Sequence, residues 1–206
     1  MIDTSYDIPK NTVFFEDVIK KSRFITHIKH TPDVSSARAF IAGIKEKYAD
    51  AGHNCWAYIA GPPMDSQVLG FSDDGEPNGT AGKPMLNVLL GSGVGEITVV
   101  VTRYFGGIKL GTGGLVRAYG GSVNRALEEL VKIEKIPEVT VRGRSDYSHQ
   151  GLIEQTLKSY NILKLDKVFE ADVQWVLKMD MREAPLAILE ITDKTRGRVI
   201  FEMDEL

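Results

Sequence analysis

The sequence predicts an α+β protein of two domains, residues 1–135 and 136–206. Three observations lead there. Of the 20 glycines, 17 precede residue 136, so the chain changes character close to that point. An amphipathic run ends at Lys135, and Pro137 then marks a helix stop and a short linker. Beyond it the pattern reads strand, helix, strand, strand, helix, strand, which is the split-βαβ or ferredoxin-like unit.

In the C-terminal half, Val139 and Val141 begin an alternating strand to Tyr147, and Ser148 is placed to cap a helix carrying Leu152, Ile153, Leu157 and Tyr160. Asn161 suits a left-handed cap. Residues 162–170 and 173–181 then form a hairpin over Ala171-Asp172. A helix over 184–191 and a strand over 198–203, with Val199, Phe201 and Met203 on one side, complete the unit.

The N-terminal half opens with strands at 12–17 and 22–30. Pro32-Asp33 starts a helix whose stripe is Ala37, Phe40, Ile41, Ile44 and Tyr48. Strands at 53–60 and 67–72 are separated by Gly61-Pro62-Pro63, and the loop 73–80 leads into a helix containing Met85, Leu86, Val88 and Leu89. Ile97 to Thr102 is an unbroken β-branched run, as a strand covered on both faces requires.

Composition narrows the function. A 206-residue chain that is 43% hydrophobic can build a real core, and a formal net charge of −3 argues against bulk electrostatic attachment to nucleic acid. Any polyanion site is therefore a local patch, and no DNA sequence specificity is expected. Cys55 is the one cysteine, which excludes an internal disulfide framework and a thiolate zinc cluster and fits a reducing cytosol. Residues 1–10 carry Asp3, Asp7 and Pro9 and no apolar stretch, so neither a signal peptide nor a membrane anchor is expected.

The segment from Arg103 to Arg117 joins the buried strand to a long helix and contains Gly106, Gly107, Gly111, Gly113 and Gly114. Glycine lets a ligand approach the backbone, and the first turn of a helix presents unpaired N–H groups and a partial positive charge. Arg103, Lys109 and Arg117 surround the segment and Lys83 adds a fourth cation, so a phosphate is the expected guest. Tyr104 and Phe105 form a candidate base-stacking pair, although a strand end is equally a place for core aromatics. Projected as a helix, residues 113–133 put Leu115, Ala118, Tyr119, Val123, Ala126, Leu127 and Leu130 on a buried stripe. Gly113, Arg117, Gly120, Gly121 and Asn124 gather opposite, a bare face open to RNA, protein or the C-terminal half. The same glycines also suit tight turns and helix packing.

Other constellations carry duller readings. No G-x-G-x-x-G is present, and Gly82-Lys83 has Pro77 and Pro84 where a P-loop needs glycine and Ser/Thr. His53 and Cys55 share a strand face, but a lone cysteine is usually a buried hydrophobe. Asp73, Asp74 and Glu76 lack calcium-loop spacing and read as turn carboxylates. No metal or cofactor is expected, and Trp56, Tyr58 and Trp175 are assigned to the core.

These residues resemble the IMPACT family. The likeness is carried by His53-Asn54-Cys55-Trp56-Ala57-Tyr58, by Asp73-Asp74-Gly75-Glu76-Pro77 with Gly79 to Pro84, and by Arg103-Tyr104-Phe105-Gly106-Gly107 with Leu110-Gly111 and Gly113-Gly114-Leu115. It is strong over residues 18–130, and the two-part layout is similar to that of bacterial members. The resemblance implies an N-terminal domain like ribosomal protein S5 domain 2 and a C-terminal ferredoxin-like domain similar to one of elongation factor G. The resemblance also implies that eukaryotic members regulate translation by competing for a partner of the kinase that phosphorylates an initiation factor. They carry a different N-terminal domain that is not expected in this chain, so that partner does not carry over, and the family supplies no catalytic residue to transfer.

The expected function is therefore a cytoplasmic, non-catalytic protein that binds RNA or a ribosomal component, with a possible translation-regulatory partner. Its phosphate contacts are Lys83, Arg103, Lys109, Arg117 and the glycine amides, with Tyr104 or Phe105 stacking a base. The rivals are a small-molecule phosphotransferase, since the S5-like fold is similar to that of small-molecule kinases, and a protein-interaction module that docks on the glycine face.

Overall fold

The computed structural model describes residues 5–204. It is α+β and divides into two compact units, Tyr6–Lys135 and a second from Ile136 onward.

In the first unit, β1 (Tyr6–Pro9), β2 (Val13–Ile19), β3 (Ser22–His30), α1 (Val34–Lys47), β4 (His53–Ile59), β5 (Leu69–Ser72), α2 (Gly82–Ser92), β6 (Ile97–Tyr104), α3 (Thr112–Glu128) and β7 (Lys132–Lys135) follow in order. A five-stranded antiparallel sheet runs β2-β3-β6-β4-β5. Its central strand β6 is the β-branched run, buried from Ile97 to Arg103 because both faces are covered. On one face α1 packs Ala37, Ile41 and Ile44 over Tyr58 and Val100. On the other, α2 and α3 bring Met85, Leu89, Tyr119 and Val123 against Phe24, Cys55, Val99 and Val101. Asp33 and Ser36 close a reciprocal capping box at the start of α1.

The helical projection to residue 133 overruns. α3 stops at Glu128, and Lys132–Lys135 pairs antiparallel with β1, Tyr6 opposite Lys135. Val131 and Ile133 alternate with Lys132 and Glu134 at the period of a strand, and the partner that decides the matter lies about 120 residues away in sequence. Buried Glu96 ties this ribbon down, accepting from Tyr6 Oη at 2.9 Å, from Lys135 Nζ, and meeting His30 Nε2 at 2.7 Å.

The second unit contains β8 (Glu138–Ser145), α4 (Gln150–Leu157), β9 (Ile162–Phe169), β10 (Val173–Asp180), α5 (Ala184–Lys194) and β11 (Ile200–Met203). Its antiparallel sheet runs β11-β8-β10-β9, so β10 is inserted between β8 and β9. Ile153, Leu157, Ala187 and Ile191 of the two helices pack on Val141, Trp175, Leu177 and Met179. Two local expectations fail. Ser148 does not cap α4, because a short 3₁₀ turn over Tyr147–His149 carries the chain into it. Asn161 does not take positive φ; its N–H donates to Glu183 Oε2 at 2.6 Å, an acceptor the local spacing hides. Among the described residues no helix is long and apolar enough to cross a membrane.

Candidate functional site

Residues 105–111 connect the central strand to α3. Gly106 lies so close to β3 that an added Cβ would sit 1.9 Å from the Lys21 carbonyl oxygen, and its N–H donates to Ser22 Oγ at 3.3 Å. Gly107 and Gly111 have φ of 83° and 74°, the left-handed region that glycine enters freely. Gly111 is the N-cap of α3, and no side chain caps that helix. The Gly111 carbonyl takes the Leu115 N–H at 2.9 Å, which leaves the amides of Thr112, Gly113 and Gly114 as the orphan donors of the first turn. Gly113 faces open space, whereas a Cβ on Gly114 would stand 3.0 Å from Leu110 Cβ.

The start of α2 is closed by contrast. Asp73 Oδ1 accepts from the N–H groups of Ala81 at 2.9 Å and Gly82 at 2.8 Å, and Oδ2 accepts from Gly79 at 2.8 Å. One helix start thus already holds a carboxylate from its own chain, and the other does not.

Lys109 lies beside the open start, on a hollow of about 580 Å³ that Phe105, Gly111 and Thr112 also line. Lys83 and Arg117 line a second hollow, between α2 and α3, with Gly79, Asn87 and Asn124. Lys83 Nζ stands 5.7 Å from the centre of the Phe71 ring. Phe105 is 57% exposed, with the Arg103 guanidinium carbon 5.6 Å from its ring centre.

Arg103 and Tyr104 are not available in the way the sequence suggests. Arg103 shares the face of Val99 and Val101, which β6 turns into the α2–α3 core. Its side chain is 7% exposed, with Nη1 2.6 Å from Glu76 Oε1 and Nη2 3.3 Å from Ser22 Oγ. Its charge is therefore matched inside the protein. Tyr104, on the opposite face, donates from Oη to Asp50 at 2.8 Å and has the Arg23 guanidinium 5.7 Å from its ring centre. The glycine face of α3 is also partly occupied. Gly120 is buried, and a Cβ there would stand 3.7 Å from Val88 of α2, in ordinary van der Waals contact.

Three residues join the site that sequence spacing did not gather. Glu76, 3% exposed in its side chain, also accepts from Tyr119 Oη at 2.8 Å. Burial, with the nearby Cys55 and Glu76, holds the Tyr119 phenol far above its ordinary range. His53 lies opposite Arg103 in the β4–β6 register, and its Nε2 stands 3.9 Å from Glu76 Oε1. Its Nδ1 is 2.9 Å from the Asp74 carbonyl oxygen, which accepts only, so Nδ1 carries hydrogen. His53 and Glu76 were both visible as separate motifs; the β4–β6 pairing brings His53 to Arg103, and the loop between β5 and α2 brings Glu76. Cys55 is buried with Sγ donating to the Asp73 carbonyl at 2.9 Å, and burial pushes its thiol up to about 12. Asp74 meanwhile pairs with Lys45 and accepts from the Asn54 N–H. Among the described residues no group of three or more His, Cys, Asp or Glu is placed to hold a metal ion.

Comparison with known proteins follows the same region. The Impact N-terminal domain profile matches residues 20–127. The IMPACT family member YigZ of Escherichia coli K12 is 55% identical over 195 residues, covering 94% of this chain and 95% of the relative. An IMPACT family member of Haemophilus influenzae is 46% identical over 201 residues, covering 98% of each. YvyE of Bacillus subtilis is 37% identical over 202 residues, covering 98% of this chain and 92% of the relative. A crystal structure described as that of an hypothetical protein aligns with a TM-score of 0.70 at 44% identity, covering 98% of both chains.

Proposed function

The chain belongs to the IMPACT family, and from that premise we propose that it is a cytoplasmic, non-catalytic protein that binds RNA or a ribosomal component and bears on translation. In this reading the first unit is an S5 domain 2-like module, and the second a ferredoxin-like module similar to one of elongation factor G. The strand order β11-β8-β10-β9 with two helices on one face supports the latter.

The observation that carries the proposal is the uncapped start of α3 with Lys109 beside it, together with the second hollow, along the flank of α3 facing α2, that Lys83 and Arg117 line. Orphan amides and the helix dipole favour an anion there, and three cations supply charge without a strongly basic protein. Phe105 offers a face for one base. Arg103 has a different part: it ties the central strand to the loop before α2 through Glu76.

The test is binding of a single-stranded RNA oligonucleotide, followed by fluorescence anisotropy across a salt series. Affinity falls with salt, and the K83E/R117E protein binds at least tenfold more weakly with a flatter salt slope. Equal affinity and slope in the two proteins would overturn the proposal.

A further inference from the structure

The antiparallel sheet of the second unit has β9 and β11 at its edges, and β9 has eight residues where β11 has four. Among the described residues no strand pairs with the outer side of β9, so its backbone there is a template for one more strand. Leu163, Leu165, Val168 and Phe169 stand 38–53% exposed along it. A long edge with exposed apolar side chains is what monomeric sheets avoid. We propose that β9 pairs antiparallel with β9 of a second copy of this chain, about a two-fold axis at Leu165, joining the two sheets into one.

The residues of β9 select both the occupant and the register. An antiparallel pair of identical strands is related by an axis perpendicular to the sheet, which keeps every side chain on its own face. Residues that oppose one another must therefore be an even number of positions apart, so the axis passes through a residue and not between two. Centred on Leu165, the pairing sets Lys164 against the partner's Asp166, Asp166 against the partner's Lys164, and Leu165 against the partner's Leu165. Centred on Lys164, Asp166 or Lys167, it sets two like charges face to face. Lys164 and Asp166 are joined along the strand at 2.7 Å with side chains 68% and 53% exposed, so each is free to take a second partner across the axis. Both lie in the regular stretch of β9, Lys164 to Phe169, beyond the shift in register opposite Met179. The long edge of the first unit, β2, contains Glu16 and Asp17 and no Lys or Arg, so no such matching exists there.

This inference concerns the second unit and goes beyond the RNA-binding reading. The experiment is sedimentation velocity of the full chain over a dilution series, for the native, K164D, D166K and K164D/D166K proteins. The expected result is a reversible dimer in the native protein, association at least tenfold weaker in each single variant, where like charges face across the axis, and recovery in the double variant. Oxidative cross-linking reads the register separately. Directly opposed strand residues have Cα atoms about 4.5–5.5 Å apart, within reach of a disulfide, so L165C forms a covalent dimer. L163C does not, because its two copies lie four positions apart along the paired strands, about 14 Å. Cys55 is buried, and the native protein serves as the blank. Thermal melts report that the variants fold. A native monomer up to millimolar protein, association unchanged by both single charge variants, no recovery in the double variant, or cross-linking of L163C as fast as L165C would overturn the inference. The K83E/R117E protein keeps the dimer, so either reading can fail alone.

Discussion

Arg103 Nη1 stands 2.6 Å from Glu76 Oε1, and both side chains are almost wholly closed to solvent. The pair links the central strand to the loop before α2, and Tyr119 Oη extends it to α3. A buried ion pair adds little beyond its desolvation cost, but removing one partner strands the other charge. Replacing Arg103 by Met or Glu76 by Gln is therefore expected to cost about 3–5 kcal/mol each, measured by urea unfolding. The double replacement costs clearly less than the sum. A loss below about 1 kcal/mol in either single variant would show that water reaches the stranded charge.

Two glycines of one segment are expected to respond in opposite directions. Gly106→Ala drives a methyl group into the Lys21 carbonyl and costs about 1–3 kcal/mol. Gly113→Ala meets nothing within 4 Å inside the first turn of α3 and gains about 0.5–1 kcal/mol in helix propensity. Thermal denaturation of the two variants checks the contrast, and equal shifts would show that the β3–loop contact is not held in solution.

Acid sensitivity in the first unit has a named source in His27. Burial, with the charge of Lys47 adding to it, pushes this imidazole down to about 4 from an ordinary 6.5. Its ring lies between Phe14 and Tyr48, with Nε2 3.1 Å from the Tyr48 hydroxyl. Between these values the unfolded chain binds a proton that the folded chain does not, so stability falls as pH falls from about 6.5 to about 4. Urea unfolding across that window is expected to show this slope in the native protein and a flatter one in His27→Gln. Identical slopes would show that His27 is not the source of the response in this window; Glu96 acts lower, its stabilisation being lost only as pH falls below its ordinary 4.5. There burial is outweighed by hydrogen bonds from Lys135, His30 and Tyr6, which leave its carboxyl below the usual range.

The fold was legible where pattern is local. Ile97 to Thr102 announces a strand covered on both faces, and the Ala37, Ile41 and Ile44 stripe announces the helix laid over it. The strand at 132–135 was not legible, because its partner at 6–9 is remote and an amphipathic run fits a helix as well until the pairing is known. The site divides the same way. Glycines requiring positive φ can be located from composition and spacing, and so can nearby cations. Whether a guanidinium faces water or a carboxylate depends on the parity of β6 and on a loop 27 positions earlier. Arg103 therefore reads as a phosphate clamp in sequence and stands as an internal ion pair in space.

Co-sedimentation of the native and K83E/R117E proteins with ribosomes, before and after nuclease, tests the proposed RNA contact along α3 most directly. The native protein is expected to pellet with ribosomes and to return to the supernatant after nuclease, while the double variant stays in the supernatant throughout. Equal behaviour of the two proteins, or pelleting that survives nuclease, would contradict it.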